Sequence, residues 1–450
     1  MLSAMRAPLF SRLLRAVFLF ALDLYYRRER IGAGRVPESG PVLLVANHPN
    51  GLVDPILLAS TTRRWVRFLG KAPLFEMPVL GSVLRAFRAL PVVRRQDGGD
   101  TSENEATFSA VFDALAAGGV VCVFPEGRSH DEPRLQELRT GTARMALGAE
   151  AREGFSLGVR IVPIGLVYRA KRRFRSSVAT VVGEPIDVGA FRDEYERDER
   201  AAVRALTRRI ASSLEEVTLE LDSFEDLPLL ELVARLEEPD DPEHLATVQR
   251  ISHARRRLRE RGDPALDAEL EAIAERTLAL RARLDTLGLD PTNIHAAYRP
   301  RAVLVFALKT ALSTLLVGPL ALLGVLLWGL PYHGVALLTR LQRPSRDVFA
   351  TVGILTALVI FPLWWLLLGL VSRWILPAVT DRSIGPGAAL LAAMTLSPIL
   401  GLVALAWRDR APSVKRDIRA FFLLGRRARL RRLLASECAE LLERVLELRE

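Results

Sequence analysis

Cysteine is nearly absent: the 450 residues contain two. Cys122 and Cys438 can build neither a disulfide framework nor a metal-ligand cluster, which excludes stapled secreted domains and zinc modules. The polar part of the chain is therefore expected in a reducing compartment. An early membrane span is also lacking, because the uninterrupted apolar run over residues 16–22 is too short to cross a bilayer. No small-residue cleavage site follows it, so a signal peptide is not expected. No protein nucleophile is evident either. What the chain does have is length for more than one domain, 50% hydrophobic residues, and 62 Lys and Arg against 52 Asp and Glu. A net charge of +10 fits nucleic acid or anionic lipid. Long apolar runs near the C-terminus decide for a lipid membrane as partner and against nucleic acid.

The most informative stretch is residues 41–55, PVLLVANHPNGLVDP. Residues 41–46 form a short apolar run suited to a strand buried on both faces of a sheet. Asn47, Pro49, Asn50 and Gly51 break it. Asp54 and Pro55 then read as the N-cap and first residue of a helix. Such a strand delivers His48 to a sheet's carboxyl edge, where open α/β sheets place ligands. If the turn brings His48 and Asp54 together, the carboxylate fixes the imidazole tautomer and leaves the other ring nitrogen free to take a proton from a hydroxyl. On this stretch alone the plainer reading, a helix cap and a satisfied loop histidine, stands beside it.

Residues 1–35 read as an amphipathic membrane-interface helix, with Phe10, Leu13, Leu14, Val17, Phe18, Phe20, Ala21 and Leu24 on one arc and Arg27, Arg28 and Arg30 near lipid phosphates. An ordinary helix packed on the next domain is the alternative. From 36 to 192, apolar strand candidates alternate with helical stretches, which argues an α/β domain. The strand candidates are WVRFLG, LPVVR, VVCVF, RIVPIGLVY and VATVVGEPI, and residues 102–117 have helical spacing.

The ordered blocks NHPNGLVD, Gly81 with LPVVRR, FPEGRS and VPIGLVY resemble those of the glycerol-phosphate and lysophosphatidate acyltransferase superfamily. The context FPEGRSHDEPRLQELRTGTARMALGAE is similar to the branch that includes fungal glycerol-3-phosphate/dihydroxyacetone-phosphate acyltransferases. Five residues separate His48 from Asp54, where most of the superfamily has four; the longer spacing looks like that same branch. The resemblance implies a mixed β-sheet flanked by helices and acyl transfer from a thioester, acyl-CoA or acyl carrier protein, to a hydroxyl of a glycerol-derived phosphate acceptor. It implies His48 as general base and Asp54 as its orienting partner. Arg94 and Arg128 would bind the acceptor phosphate, with Lys71 a weaker candidate, because a planar guanidinium holds phosphate oxygens in paired bonds. Asn47, Glu126 and Gly127 would shape the pocket, Glu126 holding an arginine or an acceptor hydroxyl. No cofactor beyond the thioester co-substrate is expected, and no metal: the HDEP run at His130 reads as a solvated turn.

Residues 193–300 shift to charged, solvent-facing helices with no catalytic constellation. A membrane domain is expected over 301–407. Residues 348–371 and 386–407 are long enough to span, while 302–338, interrupted at Gly318-Pro319 and Gly329-Leu330-Pro331, reads as a re-entrant hairpin. Residues 408–450 form a basic, amphipathic C-terminal helix, which beside a span marks a cytoplasmic face. The whole reads as a multi-pass membrane acyltransferase making lysophosphatidate or phosphatidate, its catalytic head cytoplasmic. The rivals are acylation of another lysolipid or an amino-lipid, and an inactive membrane scaffold of the same fold.

Overall fold

The computed structural model describes residues 8–93, 104–239, 244–295, 300–379, 384–425 and 427–448. The chain divides into two compact units: a head of Met1–Leu227, Glu243–Arg261 and Arg346–Thr351, and a helical unit made of the remainder.

The head is built on one mixed sheet. Its strands are β1 (Tyr26–Ile31), β2 (Val42–Ala46), β3 (Val66–Lys71), β4 (Leu90–Val92), β5 (Val120–Val123), β6 (Arg160–Tyr168), β7 (Ser176–Val182) and β8 (Ile186–Asp187). They run in the order β1-β7-β6-β2-β5-β3-β4, with β8 beside β6. Pairing is parallel except where β7 and β8 meet β6. All five residues of β2 are buried, as a central strand covered on both faces requires.

The helices of this unit are α1 (Leu9–Tyr25), α2 (Val53–Ala59), α3 (Pro73–Glu76), α4 (Pro78–Ala86), α5 (Asn104–Ala116), α6 (Gly141–Arg152), α7 (Arg192–Arg197) and α8 (Glu199–Glu215), joined after α9 (Leu227–Glu237) by α10 (His244–Arg259). Val111 and Leu115 of α5, Leu147 of α6, and Leu206, Ile210 and Leu214 of α8 share a core with Leu43, Val121 and Ile161 of the sheet.

Two expected boundaries move. Arg27, Arg28 and Arg30 do not continue an interfacial helix: they lie in β1, paired in register with β7. An edge strand accepts such charges, because one of its sides needs no partner strand. Arg28, only 8% exposed, pairs with Asp23. The charged region after 192 is likewise not a separate solvent-facing domain, since α8 and Leu245 of α10 enter the head's core. Their apolar stripe is sparse among Arg and Glu, and it is the stripe that packs. As for α1, Arg15 on one side donates to the backbone oxygens of Ala59 and Thr62. The other side leaves Leu9, Phe10, Leu13, Val17 and Phe20 exposed.

The helical unit holds α9 together with α11 (Pro264–Leu287), α12 (Pro291–His295), α13 (Pro300–Leu341), α14 (Phe349–Val379), α15 (Pro386–Leu424) and α16 (Ala428–Glu447). Leu232, Leu280, Leu284, Ile294, Leu424, Leu434 and Leu441 form its small core. Among the described residues, three helices are long and apolar enough to cross a membrane: Val303–Leu341, Phe349–Val379 and Pro386–Leu424.

The hairpin expected over 302–338 is corrected: α13 runs unbroken through Pro319 and Pro331. Neighbouring helices make this tolerable. Gly324 admits the Leu400 backbone, and Gly401 lies against the Trp328 ring. The indole N–H of Trp328 donates to Ser397 O at 2.7 Å, and that of Trp364 to Leu327 O at 2.8 Å. The boundary drawn at 407 also falls inside a helix, because α15 carries on through the basic run to Leu424. Arg and Lys are good helix formers, so leaving the apolar stretch gives the chain no reason to stop.

Candidate active site

Because β2, β3, β4, β5 and β6 all run parallel, the chain segments following them gather at one carboxyl edge. His48 lies two residues beyond β2, the Phe124–Arg128 turn follows β5, Tyr168 ends β6, and Lys71 ends β3. Arg94, just past β4, is outside the described residues.

At this edge His48 Nδ1 lies 2.8 Å from Asp54 Oδ2. Asp54 is completely buried, and its Oδ2 also accepts from Asn50 N at 2.7 Å, while Oδ1 accepts from the Tyr168 hydroxyl at 2.6 Å. Its expected capping role is corrected: Leu52 occupies the N-cap of α2, and Asp54 sits inside the first turn with its carboxylate folded back onto the preceding loop. With the carboxylate as acceptor, Nδ1 carries the imidazole proton and Nε2 is left as the basic nitrogen. The ring lies on Phe124, centroids 3.9 Å apart and planes 11° from parallel, so its face is apolar and its orientation fixed.

Behind this pair is a hydroxyl network that the sequence reading missed. Asn50 Nδ2 donates to the Tyr26 hydroxyl at 3.0 Å, and that hydroxyl donates to Lys171 O. Burial first, and then the charge of Asp54, push the Tyr168 hydroxyl well above its ordinary value. Burial likewise raises Tyr26. Both therefore stay protonated, and Tyr168 remains a donor to Asp54. Tyr168 was visible as the last residue of VPIGLVY. Tyr26 carries no such signal, because no recognisable block surrounds it in LYYRRERI.

The pocket candidates fall into two groups. Asn47 is pinned to β6, donating to Leu166 O at 3.1 Å and accepting from Leu166 N at 2.7 Å, so its side chain fixes the turn's exit. Among the described residues, the carboxylate of Glu126, 4% exposed, is taken up by loop donors and not by an arginine. Oε1 accepts from His48 N at 2.9 Å, and Oε2 accepts from Gln136 N at 2.8 Å and from His130 Nε2. A buried carboxylate takes backbone donors wherever the loops offer them. His130 is correspondingly not in a solvated turn: its backbone N donates to His48 O at 3.1 Å. Gly127 has φ +74°, and a Cβ there would meet the Arg139 side chain at 2.8 Å. This left-handed kink turns the chain outward, leaving Arg128 exposed, as Lys71 is.

A histidine oriented by a buried carboxylate at the carboxyl edge of an α/β sheet defines a class: a head equipped for proton abstraction from a hydroxyl. Residues 27–167 match the Acyltransferase family model. The chain is 34% identical over 183 residues to glycerol-3-phosphate O-acyltransferase 2 of Saccharomyces cerevisiae, covering 38% of this chain and 24% of that protein. It is 26% identical over 293 residues to glycerol-3-phosphate O-acyltransferase 1 of the same yeast, covering 46% and 38%. The chain thus spans well under half the length of these two relatives. An uncharacterized acyltransferase of Schizosaccharomyces pombe is 22% identical over 505 residues, covering 89% of this chain and 74% of that one. Among solved structures, the 1-acyl-sn-glycerophosphate acyltransferase of Thermotoga maritima is similar at 17% identity and a TM-score of 0.35, over 46% of this chain and 79% of that one. Residues 27–167 thus carry an acyltransferase domain similar to that of the two yeast glycerol-3-phosphate O-acyltransferases.

Proposed function

We propose that this chain is a membrane-bound O-acyltransferase that moves a fatty acyl group from a thioester, coenzyme A or acyl carrier protein, to a hydroxyl of glycerol 3-phosphate or 1-acylglycerol 3-phosphate. The observation that carries the reading is the His48–Asp54 contact within a domain that matches the Acyltransferase family model. His48 Nε2 takes the proton of the acceptor hydroxyl as its oxygen attacks the thioester carbonyl. The tetrahedral intermediate then collapses, the carbon–sulfur bond breaks, and the imidazolium returns the proton to the leaving thiolate. Asp54 holds the imidazole in the required tautomer and offsets its positive charge while the proton is carried. Arg128, exposed at the same edge, receives the acceptor phosphate, with Lys71 at the end of β3 and Arg94 as further ligands. Three apolar helices and the exposed face of α1 hold the head against a membrane, where the acyl product belongs.

The test is thioester consumption by the purified protein against glycerol 3-phosphate, dihydroxyacetone phosphate, lysophosphatidate, lysophospholipids and amino-lipids. Turnover with a phosphate monoester acceptor is expected. Turnover confined to amino-lipids would overturn the acceptor assignment, and no consumption with any acceptor would make the chain a scaffold.

A further inference from the structure

The segment Arg346–Thr351 runs from the connection after α13 into the first turn of α14, yet it belongs to the head. Its contacts fall on the two turns that form the site. Asp347 Oδ2 accepts from Ser129 Oγ at 2.6 Å, one residue beyond Arg128. Arg346 approaches Asp131 Oδ2 at 3.7 Å, and the other oxygen of Asp131 binds Lys171 Nζ at 2.6 Å. Lys171 Nζ in turn donates to Pro49 O at 2.8 Å, inside the His48–Asp54 turn. That turn also meets the segment directly. At Gly51, φ +39°, a Cβ would come within 3.0 Å of Val348 Cγ1 and 3.2 Å of Asp347 O.

The Arg128 side chain is exposed and has no hydrogen bond or ion pair among the described residues. Its position is set by its backbone. On one side Gly127 N donates to Phe124 O at 3.0 Å, and on the other His130 N donates to His48 O at 3.1 Å. Between them, Ser129 is tied through its side chain to Asp347. A carboxylate accepting from a half-buried hydroxyl is a charge-assisted bond, strong enough to select one turn conformation. We propose that Asp347 is a positioning residue for acceptor binding: through Ser129 it fixes the turn that presents Arg128 to the acceptor phosphate. Arg346 and the Lys171–Asp131 pair brace the His48 turn against the same segment. The acceptor side of the site thus depends on a residue more than 200 positions away, supplied by the connection between two apolar helices.

This rests on the reading of Arg128 as a phosphate ligand, and the experiment separates the two. Steady-state kinetics on the full chain in lipid nanodiscs compare Asp347→Ala, Asp347→Asn, Ser129→Ala, the Ser129→Ala/Asp347→Ala double variant and Arg128→Ala. Asp347→Ala is expected to raise the acceptor KM roughly tenfold, the scale of one lost charge-assisted hydrogen bond, with the thioester KM unchanged. Asp347→Asn keeps a carbonyl acceptor for Ser129 and should restore most of the affinity. The double variant should be no worse than either single one. An unchanged acceptor KM in both Asp347→Ala and Ser129→Ala, or effects that multiply in the double variant, would overturn the proposal. If Arg128→Ala leaves the acceptor KM unchanged, the phosphate reading itself fails. If Arg128→Ala raises it while Asp347→Ala does not, only the positioning role falls.

Discussion

Three donors converge on the Asp54 carboxylate, the His48 ring, the Asn50 backbone N–H and the Tyr168 hydroxyl, and the two side-chain donors can be removed separately. Replacing His48 with Ala removes the base, and acyl transfer should fall roughly 10²–10⁴-fold. Asp54→Asn keeps the shape of the side chain but turns an amide toward groups that all donate; a loss of similar size is expected, because the imidazole tautomer is no longer fixed. Near-normal turnover in a folded His48→Ala protein would end the mechanism proposed here. Tyr168→Phe is the finer probe. It leaves Oδ1 buried without its hydroxyl partner, a penalty of about 1–3 kcal/mol. Thermal stability should therefore drop together with kcat, while both Michaelis constants hold. A change in acceptor KM alone would instead place the Tyr168 hydroxyl against the substrate.

At the scale of elements, the two turns after β2 and β5 are made into one object by Glu126, which joins the backbone at His48 to that at Gln136. Glu126→Gln can supply only one acceptor oxygen where two are used, so a lower melting temperature and reduced kcat are expected. A selective rise in acceptor KM would return Glu126 to the ligand role that the family order implied. The sequence could place the strands and the order of the turns, because buried strands read as bounded apolar runs and turns as Asn, Pro and Gly. It could not say where Glu126 points, since a carboxylate in FPEGR looks the same whether it faces a ligand or a backbone N–H. Strand β1 was hidden for a related reason: YRRERI owes its place to pairing with β7 rather than to apolar content. Helix α13 departs from the hairpin expectation because Gly-Pro marks a turn in water, but in apolar surroundings a freed carbonyl has no water to turn toward and the helix persists.

For the whole molecule, the question is which side of the membrane the head occupies. If the proposed thioester donor is supplied from the cytoplasm, the head is expected on that side, and Arg346–Thr351 belongs to the head. Residues 339–347 carry three Arg and one Asp, and residues 408–432 carry ten Arg and Lys against two Asp, in keeping with a cytoplasmic position for both. Helix α14 has 31 residues, a length of about 46 Å at 1.5 Å per residue, ample for a hydrocarbon core of about 30 Å. The connection from α14 to α15, with residues 380–383 outside the described set, is then expected on the far side. Single cysteines at Ser345 and Ser383 test this with a membrane-impermeant thiol reagent in intact cells. The background is favourable: Cys122 and Cys438 are both buried. Burial pushes both thiols up, Cys438 to about 11, so neither offers a reactive thiolate at neutral pH. Labelling at 383 with protection at 345 is expected. Labelling at 345 would put the head on the outer face, away from its donors, and protection at both would mean that α14 and α15 enter the membrane without crossing it.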